Sequence, residues 1–167
     1  MRAQIVVRAR YSEDALQAHN PSQYLVLAAG LDTFALRHAT LDMRVFEVDH
    51  PATQAWKRSK IDEAPANLLF VPVDFERTTL STALDVSPFD GALTTFVAWL
   101  GTTYYLSLDA RAQTLRGVRE RTRRAELRLP YPIGTLSRLT PAIACSRTTR
   151  RAGGTGGKPI FGLTLKL

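Results

Sequence analysis

Residues 24–32 read Tyr-Leu-Val-Leu-Ala-Ala-Gly-Leu-Asp, and this stretch decides the fold. The run 24–28 is apolar throughout and suits a strand covered on both faces. It breaks at a turn of small residues, after which 33–38 can form a short helix. In a doubly wound sheet such a turn lies at the carboxyl edge. Gly30, with no Cβ, lets the backbone approach a ligand there, and the next helix presents free N–H groups. Ala28 stands where a dinucleotide-binding fingerprint has its first glycine, and no third glycine follows. Taken alone, the segment therefore also reads as an ordinary strand-to-helix turn.

Working outward, three more short apolar runs qualify as strands, at 44–48, 68–73 and 92–98. Helix-compatible segments alternate with them. The segment 51–61 opens with Pro51 at a first-turn position, 79–86 is a shorter helix, and 108–122 carries Asp109 near its start. Strands alternating with helices imply an α/β domain built on a parallel sheet. Glu126-Leu127-Arg128-Leu129 offers a fifth strand.

Three acidic positions fall where such a sheet would use them. Asp49 follows Gly30 by 19 positions, at the tip of the second strand, where a carboxylate can accept both hydroxyls of a ribose. Glu47 shares its strand face by period two. Either could instead cap the helix beginning at Pro51, whose N-terminus favours negative charge. Val73-Asp74-Phe75-Glu76 closes the third strand. An Asp beside an aromatic at that edge can bond an adenine amino group while the ring covers the base, or can simply be a solvated strand end.

Composition narrows the class. At 167 residues and 45% hydrophobic the chain has the size and apolar content of one core. No run approaches the roughly 20 apolar residues of a membrane crossing, and residues 1–10 lack a signal-peptide layout, so a cytoplasmic protein without a membrane partner is expected. Cys145 is the only cysteine, and His19, His38 and His50 have no ligand-like spacing, so no metal is expected. The net charge of +7 is unevenly spread. Residues 1–110 hold 9 Lys and Arg against 13 Asp and Glu, a net of −4; residues 111–167 hold 13 against 2, a net of +11. The body is mildly acidic, which argues against nucleic acid as its partner.

The segments Arg8-Ala9-Arg10-Tyr11-Ser12-Glu13-Asp14, LVLAAGLDTFALR (25–37), VFEVDHPATQAWKRSKI (45–61), FVPVDFE (70–76) and FVAWLGTTYYLS (96–107), in that order and spacing, resemble the leucine carboxyl methyltransferase family and its bacterial branch of S-adenosylmethionine-dependent methyltransferases. The resemblance runs over about residues 8–121. It implies a Rossmann-like class I methyltransferase sheet, incomplete at both ends, with S-adenosyl-L-methionine as cofactor. It implies that Gly30 lines the methionine portion, Asp49 takes the ribose, Asp74 with Phe75 takes the adenine side, and Arg8 meets the methionine carboxylate. Arg10, two residues on, could do the work of Arg8. Trp99-Leu100-Gly101-Thr102-Thr103 lacks the glutamate that some relatives carry after the fourth strand, so carboxyl methylation of a phosphatase is not implied.

The implied reaction is O-methylation of a small-molecule or carboxylate acceptor. Displacement at a sulfonium has an excellent leaving group, and placing acceptor and methyl at near-attack distance supplies most of the acceleration. A carboxylate acceptor needs no base. A hydroxyl acceptor would benefit from one, for which Tyr104, Tyr105 and His50 stand nearby, each equally readable as a packing residue. No catalytic residue is assigned. Two alternatives remain: a truncated, inactive remnant that binds cofactor or a partner only, and a nicotinamide dehydrogenase on the same sheet type, disfavoured by the glycine missing at Ala28. A homo-oligomer is compatible with all three.

The division expected is a cofactor-binding domain over 1–130 and a basic, divergent tail over 131–167. Residues 146–158 are mostly Arg, Thr and Gly with little to bury, so order from Cys145 onward is expected only over 160–165. The tail reads either as a basic arm for acidic lipid or nucleic acid or as the product of a shifted frame in a GC-rich gene. Arg outnumbers Lys 18 to 4, and no aromatic interleaves the arginines between Ile133 and Pro159, which weakens a single-strand-binding reading.

Overall fold

The computed structural model describes residues 2–130, 146–150 and 162–166. Helix α1 (Arg2–His19) leads into β1 (Gln23–Leu27), α2 (Phe34–Arg37), β2 (Arg44–Asp49), α3 (Pro51–Arg58), β3 (Leu68–Pro72), α4 (Leu80–Asp85), β4 (Thr95–Ala98), α5 (Leu108–Arg121) and β5 (Ala125–Pro130). Strands β6 (Ser146–Arg150) and β7 (Gly162–Lys166) follow. The sheet order is β3-β2-β1-β4-β5-β7-β6. The first five strands are parallel, and β7 runs antiparallel to both its neighbours. The chain moves outward from β1 to β3 and then returns to β4 on the other side of β1. The β1/β4 junction is therefore the switch point, outside whose carboxyl end ligands bind in open α/β sheets.

Period-two alternation divides the sheet's side chains between two cores. Leu25, Leu27, Phe46, Val48, Val71 and Val97 face α4 and α5, packing on Leu80, Leu84, Leu115 and Val118. Tyr24, Val26, Val45, Phe96 and Ala98 face the other way, against Leu16 of α1 and Phe34 and Ala35 of α2. Every residue of β1 is buried, which is why the strand reads as an apolar run from Tyr24 onward. Burial also pushes the Tyr24 phenol well above its ordinary pKa.

Differences from the expected elements have local causes. Helix α1 has no counterpart among the expected helices; it ends where Asn20 adopts φ +42°, a left-handed terminator, just before Pro21. Strand β1 begins at Gln23, whose fully buried amide donates to the Asp90 carbonyl at 2.7 Å and accepts its N–H at 3.1 Å. The run at 92–98 pairs only from Thr95, because the Asp90 side chain accepts the Ala92 N–H at 2.9 Å and folds the preceding residues into a turn. A methyl on Gly91 in that turn would run into the Arg121 carbonyl. Helix α5 is capped by Ser107, whose hydroxyl accepts the Ala110 N–H at 3.2 Å, and Asp109 lies in its first turn.

In the basic tail, Ser146–Arg150, expected to lack regular structure, forms β6, and residues 162–165 of the stretch expected to be ordered lie within β7. Cys145 and residues 151–161 lie outside the described residues.

Candidate functional site

The turn after β1 is the most constrained backbone at the carboxyl edge. Ala28 and Gly30 hold φ of +54° and +53°, the left-handed region in which glycine is at ease and alanine is strained. The Gly30 N–H donates to Asp49 Oδ2 at 2.5 Å, and the Ala29 N–H to the Val48 carbonyl at 3.2 Å. Asp32 closes the turn, donating its N–H to the Ala29 carbonyl at 2.8 Å while its carboxylate accepts the Phe34 N–H at 2.7 Å.

At the tip of β2, Asp49 carries both that contact and a second, its Oδ1 accepting the His50 N–H at 2.6 Å. It does not cap α3. His50 does, its Nδ1 accepting the Ala52 N–H at 3.2 Å. The other His50 ring nitrogen faces Asp74 at 3.9 Å across the β2/β3 edge. Asp74 is partly exposed and folds the loop after β3, accepting the Glu76 N–H at 3.1 Å. Gly30, Asp49, His50 and Asp74 thus form a continuous polar rim.

Glu47, read as a companion of Asp49 or a helix cap, is neither. It is buried at 2% exposure, and Lys57 of α3, at 4%, donates to its Oε2 at 2.5 Å. Burial raises the Glu47 pKa, and the Lys57 ammonium offsets only part of the rise. Lys57 also donates to the Asp32 carbonyl, and Gln54 joins β2 to β3 by donating to the Glu47 and Val71 carbonyls at 2.9 and 3.0 Å. Sequence reasoning missed Lys57, although a signal existed: a charged residue inside a strand covered on both faces requires a buried partner.

Phe75 is buried too, stacked on Trp99 with centroids 6.2 Å apart. One ring face is therefore committed to the core. Glu76 turns away from the rim and clamps α5, accepting the Ser107 N–H at 2.8 Å and its hydroxyl at 2.9 Å.

Arg8 lies on α1 over a cleft of about 360 Å³ walled by residues 26–29, Leu31, Asp32 and Thr33, with Leu100 and Gly101 opposite. Its Nε is buried and meets no acceptor among the described residues, a cationic donor without a partner on a residue that lines the cleft. Arg10 is exposed and is not part of the wall, which separates the two candidates. Arg37 closes the cleft, pairing with Glu13 of α1 at 2.5 Å. Asp49 and Asp74 lie outside this wall, and Asp49 joins the same turn through Gly30. Tyr104 and Tyr105, offered as bases or packing residues, are exposed at 56% and 86% and pack into neither core. A second cleft, walled by Asp85, Gly91, Arg121 and Arg123, sits at the amino edge of β4 and β5, away from the switch point.

Among the described residues no cluster of His, Cys, Asp or Glu could hold a metal ion, and no helix is long and apolar enough to cross a membrane.

A left-handed turn after β1, an acid at the tip of β2 and an acid after β3 thus lie along the carboxyl edge, and comparison of the whole sequence decides the family. The sequence profile of the leucine carboxyl methyltransferase family matches residues 1–119. The chain belongs to the leucine carboxyl methyltransferase family. Within it, the chain is 40% identical over 121 residues to the Bacillus subtilis (strain 168) protein named "Putative S-adenosyl-L-methionine-dependent methyltransferase YktD". That match spans 66% of this chain and 39% of the relative.

Solved structures agree on the fold of this family member. The methyltransferase domain of bacterial CtHen1 superposes with a TM-score of 0.69 at 12% identity, covering 96% of this chain and 97% of that one. The glycopeptide N-methyltransferase MtfA gives 0.65 at 16%, covering 94% of each, and the N-methyltransferase NodS of Bradyrhizobium japonicum WM9 gives 0.61 at 10%, covering 99% and 94%. Likeness at such identities establishes the class I methyltransferase sheet and nothing finer.

Proposed function

We propose that the chain binds S-adenosyl-L-methionine at the carboxyl edge of β1 to β3 and is the cofactor-binding portion of an O-methyltransferase acting on a small-molecule or carboxylate acceptor. The observation that carries this reading is the 2.5 Å bond between the Gly30 N–H and Asp49. It sets a carboxylate at the tip of β2 against a turn that only small residues can form. The donor set fits the cofactor's chemistry. Asp49 offers carboxylate oxygens to vicinal ribose hydroxyls, Asp74 offers an acceptor to an adenine amino group with Phe75 beside it, and the unspent Nε of Arg8 suits a carboxylate.

When bound, the cofactor supplies a methyl group whose bond to sulfur breaks as a bond to the acceptor oxygen forms, the electron pair remaining on sulfur. The chain's own part is to hold and orient. Arg8 would fix one end in the cleft and Asp49 the middle, so that the acceptor meets the methyl group in line. A carboxylate acceptor has no proton to lose, which accords with a rim that carries no assigned base.

Calorimetry with S-adenosyl-L-methionine or its demethylated product tests this directly. Binding that is lost in Asp49→Ala is expected, and no heat at millimolar ligand would overturn the reading.

A second reading is a protein that binds cofactor without turning it over. Incubation with methyl-labelled cofactor and a panel of carboxylic and phenolic acceptors separates the two, because label moves to an acceptor only in an enzyme. The cytoplasm as location, and association with a further copy of the chain, belong to the same proposal.

A further inference from the structure

The buried pair of Lys57 and Glu47 has a third member. Lys57 is an ammonium with three donors on a helix facing β2. One goes to Glu47 at 2.5 Å and another to the backbone carbonyl of Asp32, in the turn between β1 and α2. A pair this deeply buried gives little net stability over an apolar pair of the same shape, because desolvating two charges offsets their attraction. Its distinctive consequence is the fixed carbonyl.

The turn has few bonds of its own. Residues 28–32 include two left-handed positions, and their backbone is tied by the Ala29 N–H to Val48 and the Asp32 N–H to Ala29. Two side chains from the β2–α3 segment hold it from outside: Asp49 grips Gly30, and Lys57 grips Asp32. The Asp49 grip uses the very carboxylate proposed to receive the ribose, so hydroxyls arriving there compete with the Gly30 N–H. The Lys57 grip lies on the buried side and meets no such competition.

We propose that Lys57 is a positioning residue for cofactor binding, holding the turn of residues 28–32 in place through the Asp32 carbonyl while Asp49 is occupied by ligand. The proposal rests on the cofactor reading above for its ligand, but the turn can be measured without one.

The test compares wild type, Lys57→Met and the double variant Glu47→Gln/Lys57→Met by melting temperature, backbone amide hydrogen exchange and calorimetry with S-adenosyl-L-homocysteine. The single variant leaves a carboxylate buried alone and is expected to melt lower. The double variant leaves no unpaired charge and is expected to regain most of the lost melting temperature. If Lys57 acts through Asp32, the double variant nevertheless exchanges its amides over residues 28–34 at least tenfold faster than wild type and binds the ligand at least tenfold more weakly. Wild-type exchange over that segment, or wild-type affinity in the stable double variant, would overturn the proposal and reduce the pair to a structural one. Should wild type itself take up no ligand, the cofactor reading falls, and the exchange comparison still decides whether Lys57 holds the turn.

Discussion

Asp49 and Gly30, 19 residues apart in sequence, meet through a 2.5 Å bond from the Gly30 N–H to the Asp49 carboxylate, which joins the tip of β2 to the turn after β1. Removing the carboxylate and removing only its charge should therefore differ. Asp49→Asn keeps one acceptor oxygen for the Gly30 N–H and gives up the bond from the exposed His50 N–H, so its melting temperature should fall by only a few degrees. Its affinity for S-adenosyl-L-homocysteine should still fall about tenfold or more, since hydrogen bonds to a charged partner contribute about 1.5–3 kcal/mol. Thermal melts read beside calorimetry check both.

Arg8 and Arg10 should separate cleanly. Arg8 lines the cleft and has a buried Nε without a partner among the described residues, whereas Arg10 is exposed and outside the wall. Arg8→Ala is expected to weaken ligand binding by about tenfold or more through loss of a charge-assisted contact, and Arg10→Ala to leave it unchanged. Equal losses in the two variants would remove Arg8 from the site.

The two left-handed residues of the turn predict substitutions of opposite sign. Ala28 holds φ +54°, so Ala28→Gly relieves strain and should stabilise by up to about 1 kcal/mol. Gly30 holds φ +53° with nothing within 4 Å of where a Cβ would stand, so Gly30→Ala suffers strain without collision, about 1 kcal/mol of destabilisation. For a chain of this size each is a shift of about 2–4 °C, measurable by calorimetric melting.

Glu47 gives the stability a pH dependence. Burial raises its folded pKa, so the folded state holds the proton more tightly than the unfolded one. Its contribution is greatest below the unfolded carboxyl pKa of about 4.3 and is lost as pH rises through the folded value. Lys57 limits that loss. In Lys57→Met the decline in stability as pH rises above the unfolded carboxyl pKa should steepen, and Glu47→Gln should abolish the difference. Denaturant unfolding at a series of pH values provides the measurement.

Much of the carboxyl edge was legible in the sequence because it depends on local spacing. An apolar run ending in Ala28-Ala29-Gly30 can hardly be anything but a buried strand entering a turn. An acid 19 residues later lands at the tip of the adjoining strand because a crossover helix and strand consume about that length. What was misread depended on neighbours distant in the chain. Glu47 shares period and charge with Asp49, and only α3 packing over β2 brings Lys57 to it. The stacking of Phe75 on Trp99, 24 positions on, was likewise not legible in the sequence. The basic tail looked unstructured because Ser146–Arg150 has little to bury, yet strand pairing draws on backbone groups, which that composition does not reveal.

The sequence by itself determined the class of fold, the family and the turn and acids of the edge, since these follow from periodicity, from residues that permit special backbone angles, and from order along the chain. Only the tertiary structure decided which acid faces outward and which is sealed in with a lysine, which arginine stands over a cleft, and what holds the turn. Those depend on which surfaces a helix and a sheet exclude from water, and that exclusion exists only once elements far apart in the chain have packed together.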